Sequence, residues 1–236
     1  MSDSARRDLA IQTYCLRGYT ESRVVAQKVA DLGLAHVELH AGDPDVFLEA
    51  GIGIVSTGVT TLSGDADAMR ASLERPRRLG LGLVSADFRP AFSPEAFRTA
   101  ERVAGEFGLR LALHNHGGGH WLGSEAMLEL LLRSTGPEIG VMLDTAWAID
   151  ARADPVELAR LAGDRLYGVH VKDFVYREGR EPIDVVVGTG NLDLPGLAAA
   201  LDDIGFDGPL ILEYEGEVDN PMPALTSCVQ AMRTVW

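Results

Sequence analysis

Asp144, His170 and Glu213 each stand at the end of a short apolar run, in the segments VMLDTAW, YGVHVKD and LILEYEGE. One imidazole and two carboxylates make a mixed nitrogen and oxygen donor set that suits one divalent metal ion: Mn²⁺ first, with Co²⁺, Mg²⁺, Zn²⁺ and Fe²⁺ as alternatives. A fourth ligand is needed, and LALHNHGG supplies two candidates. His114 stands at the depth of the other three, and His116 lies two residues further on; either can coordinate and leave the other to touch substrate. A cation held this way favours enediolate chemistry, because its charge offsets the anion formed when a proton beside a ketone leaves. That proton needs a base within hydrogen-bond reach, and His116, Glu38 and Glu215 are the candidates. His116 comes first because imidazole titrates near neutrality, and Glu38 follows as a second catalytic candidate.

Substrate contacts are expected from His40, Trp147, Lys172, Glu215 and His120. Trp147, three residues after Asp144, can wall a sugar ring or simply pack in the core. Lys172 can bind a hydroxylated or anionic edge, or form a salt bridge with Glu213 or Glu215. His120 lies in the glycine-rich GGGHWLGS, which reads either as a cover over the site or as a helix-entry loop with Ser124 as N-cap. Asp173 can cap the loop that follows it. Arg89, Arg177 and Arg180 read as solvated charge.

These residues need a scaffold that brings distant segments to one point. Eight β-rich runs alternate with helical stretches: Leu9 to Tyr14, His36 to His40, Ile52 to Leu62, Leu83 to Phe88, Leu109 to His116, Gly140 to Trp147, Leu166 to Asp173 and Pro209 to Glu215. Between them, segments such as PEAFRTAERVAGEFG and DPVELARLAG carry apolar residues every three or four positions. That pattern means parallel strands with crossover helices, either closed into a barrel or open as a doubly wound sheet. Strand alternation decides for closure. Leu111 and Leu113 oppose His114 and His116, Val141 and Leu143 oppose Asp144, and Val169 and Val171 oppose His170 and Lys172. Leu210 and Leu212 oppose Glu213 and Glu215, while Val37 and Leu39 oppose Glu38 and His40. Polar residues on one face at five strand ends converge only if that face is the inside of a barrel. The expectation is one (β/α)8 TIM barrel over residues 1–236, and the absence of a glycine-rich phosphate fingerprint after the first run agrees.

The length of 236 residues suits one such domain. A formal charge of −14 argues against nucleic acid, whose phosphates need clustered Lys and Arg. No apolar run reaches membrane-spanning length, and the start MSDSARRDLAIQTY lacks a signal-like apolar stretch. Cys15 and Cys228 have no metal-type spacing, which fits reduced thiols and a cytoplasmic setting, although a disulfide between them stays open.

LALHNHGG, GVMLDTAW, LYGVHVKDF, VVVGTGNLDLPGLAAAL and PLILEYEGE together resemble the sugar phosphate isomerase/epimerase superfamily, the xylose isomerase-like or type 2 AP endonuclease barrels. The match spans about residues 109–216, and VELH around Glu38 is the only likeness in the first half. The resemblance implies a divalent metal on Asp144, His170 and Glu213. The family's fifth-strand ligand is usually Glu, where this chain has His114, so a two-glutamate proton shuttle does not carry over. Branches with a His-Asn-His strand resemble inosose dehydratases and enzymes acting on 3-keto sugars and glycosides. The leading expectation is therefore a metal-dependent isomerase or epimerase of a small keto sugar. A lyase of the dehydratase or keto-glycoside-cleaving kind comes second, and a non-catalytic binding subunit third. A DNA repair nuclease, with a three-metal cluster and a basic surface, fits least. The partner is a small carbohydrate, and barrels of this kind often pair as homodimers.

Overall fold

The computed structural model describes residues 9–88, 93–117, 119–177 and 181–236; Arg89, Gly118, Arg180 and the first eight residues lie outside them. The strands are β1 (Leu9–Gln12), β2 (His36–Leu39), β3 (Gly53–Leu62), β4 (Leu83–Phe88), β5 (Arg110–His114), β6 (Ile139–Asp144), β7 (Leu166–Val171), β8 (Phe174–Tyr176), β9 (Pro182–Asp184) and β10 (Leu210–Leu212). Eight of them close into a parallel barrel in the order β1-β10-β7-β6-β5-β4-β3-β2, and β8 with β9 forms a separate antiparallel pair.

Helices α1 (Ser22–Asp31), α2 (Pro44–Glu49), α3 (Ala66–Arg78), α4 (Pro94–Phe107), α5 (Glu125–Ser134), α6 (Thr145–Asp150), α7 (Pro155–Ala162), α8 (Leu194–Asp203) and α9 (Met222–Met232) follow the strands. Their starts are written locally. Asp43, Asp65, Ser93, Ser124, Asp154 and Asp193 each accept a backbone N–H of the first turn. Helix α4 ends on Gly108 at φ 67°, a left-handed cap that a side chain would strain.

Packing forms two layers inside the barrel, and these place the site. Ala10, Ala112, Met142 and Ile211 belong to a small buried cluster that plugs the lower barrel. Two residues further along the same strands stand Gln12, His114, Asp144 and Glu213, all buried. The side-chain period of two turns an apolar plug into a polar floor one layer up. The larger apolar core lies between strands and helices.

Several strands stop earlier than the apolar runs suggest. The sixth ends at Asp144 because its side chain accepts Trp147 N–H and starts α6, so Trp147 is helical rather than the strand's last residue. The last barrel strand, β10, ends at Leu212, although Glu213 N–H still bonds Val171 C=O at 3.2 Å. The short antiparallel β8–β9 pair lies outside the eight β-rich runs, in a segment with few apolar residues. Cys15 and Cys228 are buried free thiols. No helix among the described residues is long and apolar enough to cross a membrane.

Candidate metal centre

His114, Asp144, His170 and Glu213 meet in the barrel, each offering one ligand atom, all within 4.8 Å of one another. His114 Nε2 lies 2.9 Å from His170 Nδ1, 3.6 Å from Asp144 Oδ2 and 3.8 Å from Glu213 Oε2. His170 Nδ1 is 2.5 Å from Glu213 Oε2. Of the two fourth-ligand candidates, His114 is the one in this group.

Neighbouring strands hold each donor in place. Asp144 Oδ1 accepts Trp147 N–H at 2.7 Å, so Oδ2 points at His114 and has no hydrogen-bond partner. Asn115, between the two histidines, clamps β5 to β6: its amide donates to Asp144 C=O at 2.9 Å and accepts Asp144 N–H at 2.8 Å. Thr145 staples β6 to β7 by donating to Lys172 C=O at 2.6 Å and accepting Lys172 N–H at 3.0 Å. Asn115 and Thr145 carry no signal in their residue types alone; only the paired strands reveal these bonds.

The donor set fits a divalent cation on the molecule's own terms. Two buried carboxylates face two imidazole nitrogens, and Asp144 Oδ2 is an orphaned buried acceptor. Burial, followed by the charge of Glu213, pushes Asp144 up to about 8. Burial opposes a charged His170, yet Glu38 and Glu213 outweigh it and raise it to about 10. Burial also opposes ionised Glu213, but Lys172 and His170 hold it well below the usual carboxylate range. His114 is pushed down, chiefly by burial. A doubly charged ion would offset both carboxylates and give every donor a partner.

The other expected residues fall into three groups. Glu38 is fully buried on the far edge of His170, with Oε1 3.0 Å from His170 Nε2. Its carboxylate also accepts Gln12 Nε2 at 2.9 Å and Ser56 Oγ at 2.5 Å; burial pushes its pKa up, but the charge of His170 first, and then the bonds from His170, Ser56 and Gln12, keep it low. His116, Trp147 and Lys172 line one side of the mouth. The His116 ring centroid is 4.4 Å from that of His114 and 6.3 Å from that of Trp147. Lys172 Nζ lies 5.3 Å from the Trp147 ring centroid, 3.4 Å from Glu213 Oε1 and against Glu215. Its burial opposes the charge, but Glu213 and the other carboxylates hold its pKa above the ordinary value. Burial and the charges of His114 and His120 push His116 down to about 3, so it does not titrate near neutrality as its residue type suggests and stays neutral across that range.

His40 stands apart from the centre. Its ring packs edge-on to Tyr14 at 4.9 Å and lines a separate cavity of about 340 Å³, whose walls include none of the four donors. His120 faces Asp87, with Nε2 3.1 Å from Oδ1. Arg177 is exposed. Asp173 accepts the N–H groups of Gly188, Gly190, Asn191 and Leu192 at 2.8–3.0 Å. A side chain at Gly190 would run into that carboxylate, which accounts for glycine at this position of VVVGTGNLDL.

A family model described as xylose isomerase-like TIM barrel matches residues 65–234. The chain belongs to that family. It is 29% identical over 178 residues to the rhizopine catabolism protein MocC of Rhizobium meliloti, covering 69% of this chain and 52% of that protein. With the inosose dehydratase of Geobacillus kaustophilus it shares 28% identity over 136 residues, covering 51% of this chain and 44% of the other. The chain thus spans about half the length of these curated relatives. The solved structure of an L-ribulose 3-epimerase superposes with a TM-score of 0.75 at 17% identity, covering 98% of this chain and 96% of that one, a likeness of fold.

Proposed function

We propose that the chain is a metal-dependent lyase that removes water from a small cyclic keto-polyol. The observation that carries this reading is an unequal pair beside Trp147. The neutral His116 ring lies 6.3 Å from the Trp147 ring centroid to centroid, and the ammonium nitrogen of Lys172 lies 5.3 Å from that same ring. Elimination asks for that inequality: a base for the proton beside the ketone and an acid for the departing hydroxyl. Epimerisation at one carbon asks instead for two groups of like character on opposite faces.

When bound, the cation on His114, Asp144, His170 and Glu213 supplies the charge that offsets the oxyanion left by the departing proton. We place Mn²⁺ first among the candidate ions. The chain's own residues do the rest. Glu38 accepts the Nε2–H of His170, which leaves the Nδ1 lone pair for the ion. Trp147 offers a flat apolar wall to one face of the ring. His116 takes the proton at its free ring nitrogen. Lys172, held charged by Glu213 and the other carboxylates, gives a proton to the leaving oxygen. Glu215, whose side chain is 29% exposed, links Lys172 to solvent for its return.

A keto-inositol is the first substrate to test, by mass spectrometry and NMR in D₂O with Mn²⁺-loaded protein. Loss of one water from the product supports the lyase. Deuterium uptake with no loss of water would transfer the activity to an isomerase or epimerase. That second reading has one observation in its favour: Glu215 lies on the Lys172 side, where it would be a second proton acceptor. No reaction with any keto-polyol, in protein that binds metal, would contradict both and favour a binding subunit. The buried thiols and acidic charge support a cytoplasmic setting.

A further inference from the structure

A second convergence of metal-ligating side chains lies at the mouth. Asp87 at the end of β4, together with His116 and His120 from the loop after β5, bring ligand atoms within 4.8 Å of one another. The hydrogen bonds of His120 decide what this group is. Its Nδ1 accepts two backbone N–H groups, from His116 at 3.4 Å and Leu122 at 3.3 Å. A neutral imidazole carries one ring proton, and two donors aimed at Nδ1 leave only a lone pair there. The proton therefore sits on Nε2 and is donated to Asp87 Oδ1 at 3.1 Å. With that proton in place, Nε2 has no lone pair to offer a metal ion.

The same three bonds tie the loop down at both ends of a turn. The amides of His116 and Leu122 both close on one ring, and that ring is anchored to a carboxylate on another strand. The His116 ring is then held between His120, at 5.1 Å between centroids, and His114, at 4.4 Å. We propose that Asp87 and His120 form a positioning pair that sets the loop so that His116 faces the metal centre. His120 acts through the amides of His116 and Leu122 rather than by touching substrate or metal. The kinetic part of this inference rests on the reading of His116 as base; the structural part does not.

The test uses the whole chain with three measurements. Long-range ¹H–¹⁵N NMR of the histidines reports the tautomer, and it should show the Nε2–H form for His120. Hydrogen exchange at the His116 and Leu122 amides should accelerate about tenfold in His120→Ala. It should return toward wild type in His120→Asn, whose side-chain oxygen reaches the Nδ1 position. With a keto-inositol, kcat should fall about tenfold in His120→Ala with KM little changed, and His120→Asn should recover part of it. An Nδ1–H tautomer, or amide exchange indifferent to His120→Ala, would overturn the proposal. So would a second equivalent of bound Mn²⁺ that disappears in Asp87→Asn, since that would make the group a metal site. If wild type turns over no keto-polyol, the lyase reading fails, while tautomer and exchange still decide this one.

Discussion

Glu38 Oε1 lies 3.0 Å from His170 Nε2, on the edge of the imidazole opposite Nδ1, which faces the other three donors. A carboxylate behind a metal-binding histidine fixes its tautomer and raises its basicity. Glu38→Gln keeps the shape and removes the charge. The affinity for Mn²⁺ should fall roughly 10–100-fold, read by competition with a fluorescent chelator. Unchanged affinity would show that His170 needs no such support.

This relationship also marks what a sequence can and cannot reveal. The barrel was legible because apolar and polar residues alternate along five strands and because helix caps and glycines punctuate the rest. Asp144, His170, Glu213 and His114 were legible because each interrupts an apolar run at the same depth. What Glu38 does was not: alternation shows that it points inward, but only the closed barrel places it behind His170. His120 is similar, since its partner Asp87 is 33 residues away and comes near only once β4 and β5 pair. His40, one residue beyond the end of β2, packs on Tyr14 and lines a cavity apart from the four donors, a placement that alternation alone does not show.

Asp173 accepts four backbone N–H groups of the 188–192 loop. Asp173→Ala leaves those donors without their acceptor and should cost about 3 kcal/mol or more. For a chain of this size that lowers Tm by roughly 6–12 °C, measurable by calorimetry. A shift within about 1 °C would mean that water replaces the carboxylate at no cost.

His116 gives the acid side of the stability profile a sign. Its folded pKa is pushed down to about 3 by burial first and by His114 and His120 next, against 6.5 as its ordinary value. The unfolded chain therefore binds a proton there before the folded one does. The stability this protects is fully present above pH 6.5 and is lost as pH falls from 6.5 toward 3. His116→Gln should flatten that part of the pH–stability curve in chelator-treated protein. A curve of unchanged slope would place the histidine's protonation elsewhere. A bound cation beside it would push the pKa the same way.

Lys172 is fully buried between Glu213, Glu215 and Trp147. Lys172→Met keeps most of the apolar stem and removes the acid. Elimination from a keto-inositol should fall by 100-fold or more, on the order of what a general acid contributes. Exchange of the substrate's α-proton into D₂O should survive, because His116 and the metal centre remain. Loss of both reactions together would assign Lys172 to substrate binding instead.

The central claim is that His114, Asp144, His170 and Glu213 hold one divalent ion. Its most direct test is elemental analysis by mass spectrometry after Mn²⁺ loading and desalting, comparing wild type with Glu213→Ala and with His40→Ala as a control outside the centre. About one equivalent of metal per chain is expected in wild type and in His40→Ala, and near none in Glu213→Ala. Equal metal in all three, or none in wild type after reconstitution, would contradict it.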